Sequence, residues 1–275
     1  MDKDIRAFVY ALSAGGSVSA GAAMSDLTTL GIGGPAEIYY VPRDTESLAM
    51  ALAGARECGM PVTVLGGGSN LLVRDAGIDG LVVTTGFATD IAIDREDATS
   101  AVVSVGAGVP LQRLINFLVE RGLAGLEGLG GVPGLVGGAI AGNAGSFGME
   151  MRDVLMSATL VGPEGAIEVD ARELKMGYRT ASLPEGSVIA GAKMRLIKDE
   201  PHDVRARLAR WLAEKKAHQP LSARSAGCES KAARSSLALQ GIKPRRFTQD
   251  LPVSANSCCA RLTSCPCQYA ATVSW

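Results

Sequence analysis

The sequence predicts an α+β fold, on three observations. Apolar residues make up 47% of the 275 residues, enough for a real core, and a charged share of 20% argues against global disorder. Strand-like and helix-like stretches are both present, but they lack the regular strand–helix beat of a doubly wound sheet. No internal repeat is visible.

In chain order, the spacing predicts a helix over Lys3–Leu12 and a strand over Ala36–Val41, at the end of the weakly alternating Ser25–Pro42 stretch. Asp44 or Thr45 caps a helix over Glu46–Cys58, and Gly59 stops it. Val62–Leu65 reads as a short buried strand followed by a glycine turn. Further strands are expected at Gly80–Thr84 and Ala101–Val105, then a helix at Pro110–Arg121 with proline in its first turn. Beyond a glycine-rich region come strands at Ser157–Val161 and Ala166–Val169, a helical piece at Ala171–Met176 and a strand at Ser187–Ile197. Pro201–Lys216 reads as a charged amphipathic helix, and the polar KDEPH segment at Lys198–His202 marks a boundary.

A net charge of -1 gives no reason to expect nucleic acid or an anionic membrane as partner. The apolar runs are too short for a membrane span, and MDKDIRAFVYALSAGG lacks the basic start and apolar core of a signal peptide. These features predict a cytoplasmic protein. Composition changes sharply toward the end. Residues 1–227 carry 33 of the 34 glycines, while five of the six cysteines lie between Cys228 and Cys267. Residues 228–275 hold six Lys/Arg against two Asp/Glu, leaving 21 against 26 for the rest. The spacing in CCARLTSCPC, Cys258–Cys267, is poor for a zinc site, so no metal is expected.

Glycine loops carry the functional signal. GGGSN, Gly66–Asn70, directly follows a strand, so its backbone N–H groups can converge on an anion such as a diphosphate, with Ser69 and Asn70 as added donors. A plain tight turn is the alternative, and neither GxGxxG nor GxxxxGK[ST] is present. The longer run from Gly125 to Gly148 holds ten glycines in 24 residues. Linkers are polar, whereas this run interleaves Leu126, Leu129, Val132, Leu135, Val136 and Ile140 with its glycines. It is expected to be buried and to bring backbone close to a ligand or to other backbone, with Asn143 available to a polar ligand edge.

TTLGIGGPA (Thr28–Ala36), LGGGSNLLV (Leu65–Val73), the long glycine motif, GYR (Gly177–Arg179) and HQPLSARSAGC (His218–Cys228) occur in that order. Together they resemble the UDP-N-acetylenolpyruvoylglucosamine reductases of bacterial cell-wall synthesis, over roughly residues 10–228. The resemblance implies a vanillyl-alcohol-oxidase-type FAD-binding fold. Residues 1–198 would form the FAD-binding region, in subdomains of about 1–60 and 61–198, and residues 199–275 a substrate domain. It implies FAD as cofactor, NADPH as reductant, and reduction of UDP-N-acetylglucosamine enolpyruvate to UDP-N-acetylmuramate by a monomer.

By resemblance, Arg179 stabilises negative charge beside the substrate carboxylate and Cys228 donates a proton. Tyr178, Lys215 and Lys216 contact substrate. Gly66, Gly67, Gly68, Ser69 and Asn70 surround the FAD diphosphate, and Gly138, Ala139 and Asn143 lie near the flavin. Thr29 and Gly31–Gly34 are secondary FAD candidates. Glu127 either supports a loop or is solvated. Residues 229–275 depart from the family. After SAGC the family continues with an aromatic, a lysine, an asparagine and a proline, and later a catalytic glutamate. Here ESKAARSSLALQG matches only at Lys231, as if the tail were read in a shifted frame.

Overall fold

The computed structural model describes residues 3–218. Helix α1 (Lys3–Gly15) leads into β1 (Gly16–Ala23), the short helix α2 (Met24–Leu27) and β2 (Pro35–Pro42). Helix α3 (Thr45–Glu57) starts where Asp44 accepts hydrogen bonds from the Ser47 N–H (2.8 Å) and hydroxyl (2.6 Å). Its buried residues Leu48, Ala51, Leu52 and Ala55 follow helical spacing, and Gly59 ends the turn at φ +61°. Strands β3 (Val62–Leu65) and β4 (Ile78–Thr84) complete a four-stranded sheet of order β1-β2-β4-β3. Central β4 pairs in parallel on both sides, and its Leu81, Val82 and Val83 are fully buried, as a continuous apolar run requires.

The second layer comprises β5 (Ile91–Glu96), β6 (Ser100–Gly106), helix α4 (Leu111–Glu120), β7 (Leu123–Ala124), helix α5 (Val136–Ala141), the hairpin β8 (Gly145–Ser146) and β9 (Met149–Glu150), then β10 (Leu155–Gly162), β11 (Gly165–Asp170) and β12 (Val188–Lys198). Its main sheet is antiparallel, order β11-β10-β12-β6-β5, with β7 also paired to β12. Helix α4 buries Leu111, Leu114, Ile115 and Leu118 against this layer. Helix α6 (Pro201–His218) adds Val204 and Leu208 to the same core. Val161, Val188 and Ala190 of the second sheet share a core with α3, joining the two layers.

Several expectations change. Strands β1 and β5 are additions: GSVSAGAA carries almost no β-propensity, and its strand form comes from antiparallel pairing with β2. Strands β3 and β4 carry the first sheet past residue 60 to Thr84. The sheets divide between Thr84 and Ile91. The piece expected over Ala171–Met176 is a shorter 3-10 turn, Ala171–Leu174, capped by Asp170 and ended by Lys175 at φ +41°. Among the described residues, no helix is long and apolar enough to cross a membrane.

Candidate functional site

Three loops meet at the C-terminal end of β3. The Thr29 N–H donates to Gly68 O at 3.0 Å, and Ser69 Oγ donates to Pro133 O at 3.2 Å. Gly68 sits at φ +62°, and a Cβ there would lie 2.0 Å from Leu27 O. A Cβ on Gly67 would lie 2.9 Å from Gly134 Cα. Glycine is required at both positions because backbone packs directly on backbone. Ser69 thus pins the two glycine loops together with the hydroxyl proton that the sequence assigns to a ligand.

Beside this junction the packing opens. A Cβ on Gly66 would meet only Gly138 Cα, at 3.9 Å, and one on Gly138 would meet nothing within 4 Å. Gly66 is half-buried and Gly138 exposed, so the two border an open, solvent-facing cradle with no side chain at either residue. Gly67 and Asn70 are exposed at its rim. A cradle of small residues suits an anionic diphosphate, which backbone N–H groups can approach closely. Ala139 is buried in α5, and its N–H donates to Leu135 O at 3.0 Å. Gly33 and Gly34 serve packing, since Cβ atoms there would strike Val73 Cβ (2.7 Å) and Asp75 O (2.0 Å).

Helix α5 runs from this cradle toward the GYR turn. Asn143, two residues past its end, is buried at φ +38°. Its amide donates to Gly177 O and to Glu150 Oε2, both at 2.8 Å, and its Oδ1 accepts from the Arg152 N–H at 3.1 Å. The side chain that the sequence offers to a ligand edge is instead fully engaged by protein. Asn143 holds the turn carrying Tyr178 and Arg179. Tyr178 is half exposed. Arg179 lies at φ +57°, and its Nη2 donates to Gly145 O at 2.8 Å. The left-handed conformation is costly for a non-glycine residue and survives only where the surroundings enforce it.

Helix α6 closes the other side of the glycine run. Glu127 is 4% exposed and accepts from the Gly125 N–H and from Arg207 Nε, both at 2.7 Å. Burial pushes its carboxyl up, but these two partners outweigh burial and hold it below the usual carboxylate range. Glu127 therefore supports the loop. Lys215, assigned to substrate from sequence, is 5% exposed. Its Nζ donates to Gly130 O at 2.5 Å and Gly128 O at 3.2 Å, and burial pushes the ammonium down to about 8. It binds the glycine run, while Lys216 next to it is exposed. Sequence reasoning missed Trp211 and Phe147, whose rings stack at 4.4 Å over this face. Cys228 lies outside the described residues. Among those described, no group of three His, Cys, Asp or Glu could hold a metal.

Residues 36–170 match the family described as FAD binding domain. A UDP-N-acetylenolpyruvoylglucosamine reductase from Syntrophotalea carbinolica is 40% identical over 210 residues, spanning 76% of this chain and 69% of its own. The crystal structure of UDP-N-acetylenolpyruvylglucosamine reductase from Thermus caldophilus aligns with a TM-score of 0.66 at 31% identity, covering 83% of this chain and 80% of that one. A BBE-like 1 protein of Physcomitrella patens shares the fold, with a TM-score of 0.53 at 20% identity over 69% of this chain and 44% of its own.

Proposed function

The chain belongs to the UDP-N-acetylenolpyruvoylglucosamine reductase family, and we propose that it holds FAD in the Gly66–Gly138 cradle while its capacity to reduce the enolpyruvyl UDP-sugar is impaired. Family membership makes it a flavoprotein of the vanillyl-alcohol-oxidase-type fold and of the oxidoreductase class, linked to peptidoglycan precursor synthesis. The observation that carries the FAD site is the opening flanked by Gly66 and Gly138, where added methyl groups would enter free space.

Bound FAD supplies hydride transfer between a nicotinamide donor and an acceptor double bond. The chain's own residues bind, orient and stabilise. Backbone of Gly66, Gly67, Gly68, Ser69 and Asn70 would hold the diphosphate, and Gly138 and Ala139 would lie on the side of the ring system. Arg179, anchored through Gly145 O, presents a guanidinium that can hold the substrate carboxylate and stabilise negative charge developing beside it. Tyr178 and Lys216 contribute to the substrate side. In the complete reaction Cys228 would be the group that donates a proton after hydride has added to the enolpyruvyl double bond. NADPH is the reductant, and the complete reaction yields UDP-N-acetylmuramate from UDP-N-acetylglucosamine enolpyruvate.

A specific observation favours impairment over full activity. After Cys228 only Lys231 follows the family pattern, and no glutamate stands in a context matching the family's C-terminal catalytic acid. Anaerobic visible spectroscopy of the full chain with FAD tests both parts. NADPH is added first, then the enolpyruvyl UDP-sugar. Loss of absorbance that persists after the sugar is the expected result. Recovery on adding the sugar establishes a working reductase and overturns impairment. Absence of any bound-flavin spectrum overturns the FAD site.

A further inference from the structure

We infer that the Trp211–Phe147 stack is a positioning device for Arg179, acting through the β8–β9 hairpin; the inference rests on the role given to Arg179 above. Helix α6 lays Leu208 and Leu212 on the glycine run, where Cβ atoms on Gly130 and Gly131 would meet their Cδ atoms at 2.3 and 3.2 Å. That seating carries Trp211 onto the tip of the hairpin. Its ring stacks on Phe147 with centroids 4.4 Å apart and planes 18° from parallel. The indole Nε1 is buried with no acceptor among the described residues, so stacking and not a hydrogen bond orients the ring.

The tip itself is strained. Phe147 and Gly148 both have positive φ, +52° and +79°, as a two-residue hairpin turn demands. Glycine meets that demand without penalty, whereas phenylalanine needs its surroundings to enforce it. Trp211 is one such surrounding group, and Lys215 Nζ, 5.5 Å from the Phe147 ring centroid, is another. Two residues before the tip, Gly145 O accepts the Arg179 hydrogen bond. The hairpin is also seated on the glycine run, where the Gly128 N–H lies 3.2 Å from Met149 Sδ. Thus a continuous set of contacts runs from α6 through Trp211, Phe147 and Gly145 to Arg179, linking two strained non-glycine residues.

A purely structural stack would belong to a core. Phe147 is 36% exposed, and neither ring belongs to the buried clusters or the residues packed against them. Loss of the stack should therefore loosen the hairpin and the Arg179 turn while leaving both sheets intact.

Amide hydrogen exchange on the full chain, without ligand, reads this directly. Trp211→Ala should speed exchange about tenfold in residues 145–150 and 177–180, with β4 and β12 unchanged. Trp211→Phe, which keeps a stacking ring, should restore the parent rates. Phe147→Gly removes the ring and also relieves the strained φ, so it should loosen the same two segments without weakening the fold. Unchanged exchange at 177–180 in Trp211→Ala or Phe147→Gly overturns the inference, as does loosening spread equally over the sheets. These outcomes are read whether or not the chain reduces the sugar, so failure of the functional reading and failure of this link are separate results.

Discussion

Between Gly125 and Gly131 the glycine run is held by side chains, whereas around Gly138 it is bordered by open space. In the first region Glu127 accepts the Gly125 N–H, Arg207 neutralises Glu127, and Lys215 binds the carbonyls of Gly128 and Gly130. Glycine there lets Leu208 and Leu212 approach the backbone. In the second region no side chain fills the space that a Cβ on Gly138 would enter. One stretch of similar composition thus serves two purposes, closing a loop onto a helix and leaving room for a ligand. The same residue type is a packing device in one place and an opening in the other, and substitutions should separate the two.

The largest effect is expected where both devices depend on a backbone contact. Gly68→Ala combines φ +62° with a Cβ 2.0 Å from Leu27 O, and should cost about 3 kcal/mol or more in urea unfolding. Gly21 has nearly the same φ, +67°, but nothing within 4 Å of its would-be Cβ. Gly21→Ala should therefore show only the conformational penalty, about 1 kcal/mol. Equal losses in the two variants would mean that the loop junction contributes nothing beyond glycine's conformational freedom.

In the side-chain-held region, Glu127→Gln should destabilise the fold by about 2 kcal/mol, because Arg207 loses a buried charged partner and keeps only Asp199. The Glu127 carboxyl is held below its unfolded value near 4.5. Its contribution is therefore full above that pH and is lost as pH falls through the lower folded value. The parent-minus-variant difference should shrink toward zero in acid, and a difference independent of pH would contradict the ion-pair role. Lys215 gives a slope of the same sign on the alkaline side, arising from a burial penalty on its ammonium and not from a favourable pair. Its folded value of about 8 lies below the unfolded 10.5, so between them the unfolded chain binds more protons and stability rises with pH. Lys215→Met should remove that rise, on the order of 3 kcal/mol for the separation of the two values.

Much of this comparison was visible in the sequence, and the remainder was not for identifiable reasons. Val62–Leu65 reads as a strand because an apolar run ends in glycines, and a cap at Asp44 or Thr45 reads from residue types that favour that position, of which the structure selects Asp44. Of the apolar residues between the glycines, Leu126, Leu129, Val136 and Ile140 are buried as expected, whereas Val132 and Leu135 are only partly buried and Gly131, Pro133 and Gly138 are exposed. Strand β1 is illegible because its small residues become a strand only beside β2. Lys215 reads as a substrate contact only through the family resemblance, and Asn143 as a ligand contact because a polar residue type advertises hydrogen bonds without naming the partner. Their partners, Gly130 O and Gly177 O, lie 85 and 34 residues away. The Trp211–Phe147 stack is likewise a product of tertiary placement. Composition can therefore locate a glycine-rich site, but which glycine packs and which leaves space depends on what the fold brings opposite each one.

Gly138→Ala probes that last distinction, with the smallest expected effect on the fold and the opposite sign. Gly138 lies within α5 at a helical position that needs no positive φ, and its new methyl would meet nothing within 4 Å. Replacing glycine by alanine inside a helix should stabilise the apoprotein by about 0.5–1 kcal/mol. The same methyl would occupy the space between Gly66 and Gly138 that is assigned to FAD, so FAD affinity should fall at least about tenfold. Thermal unfolding of the apoprotein and fluorescence titration with FAD measure the two quantities separately. A rise in stability with unchanged FAD affinity would move the cofactor away from Gly138. A fall in both would mean that the opening is closed by packing in solution, and that the two regions of the run do not differ as the structure shows.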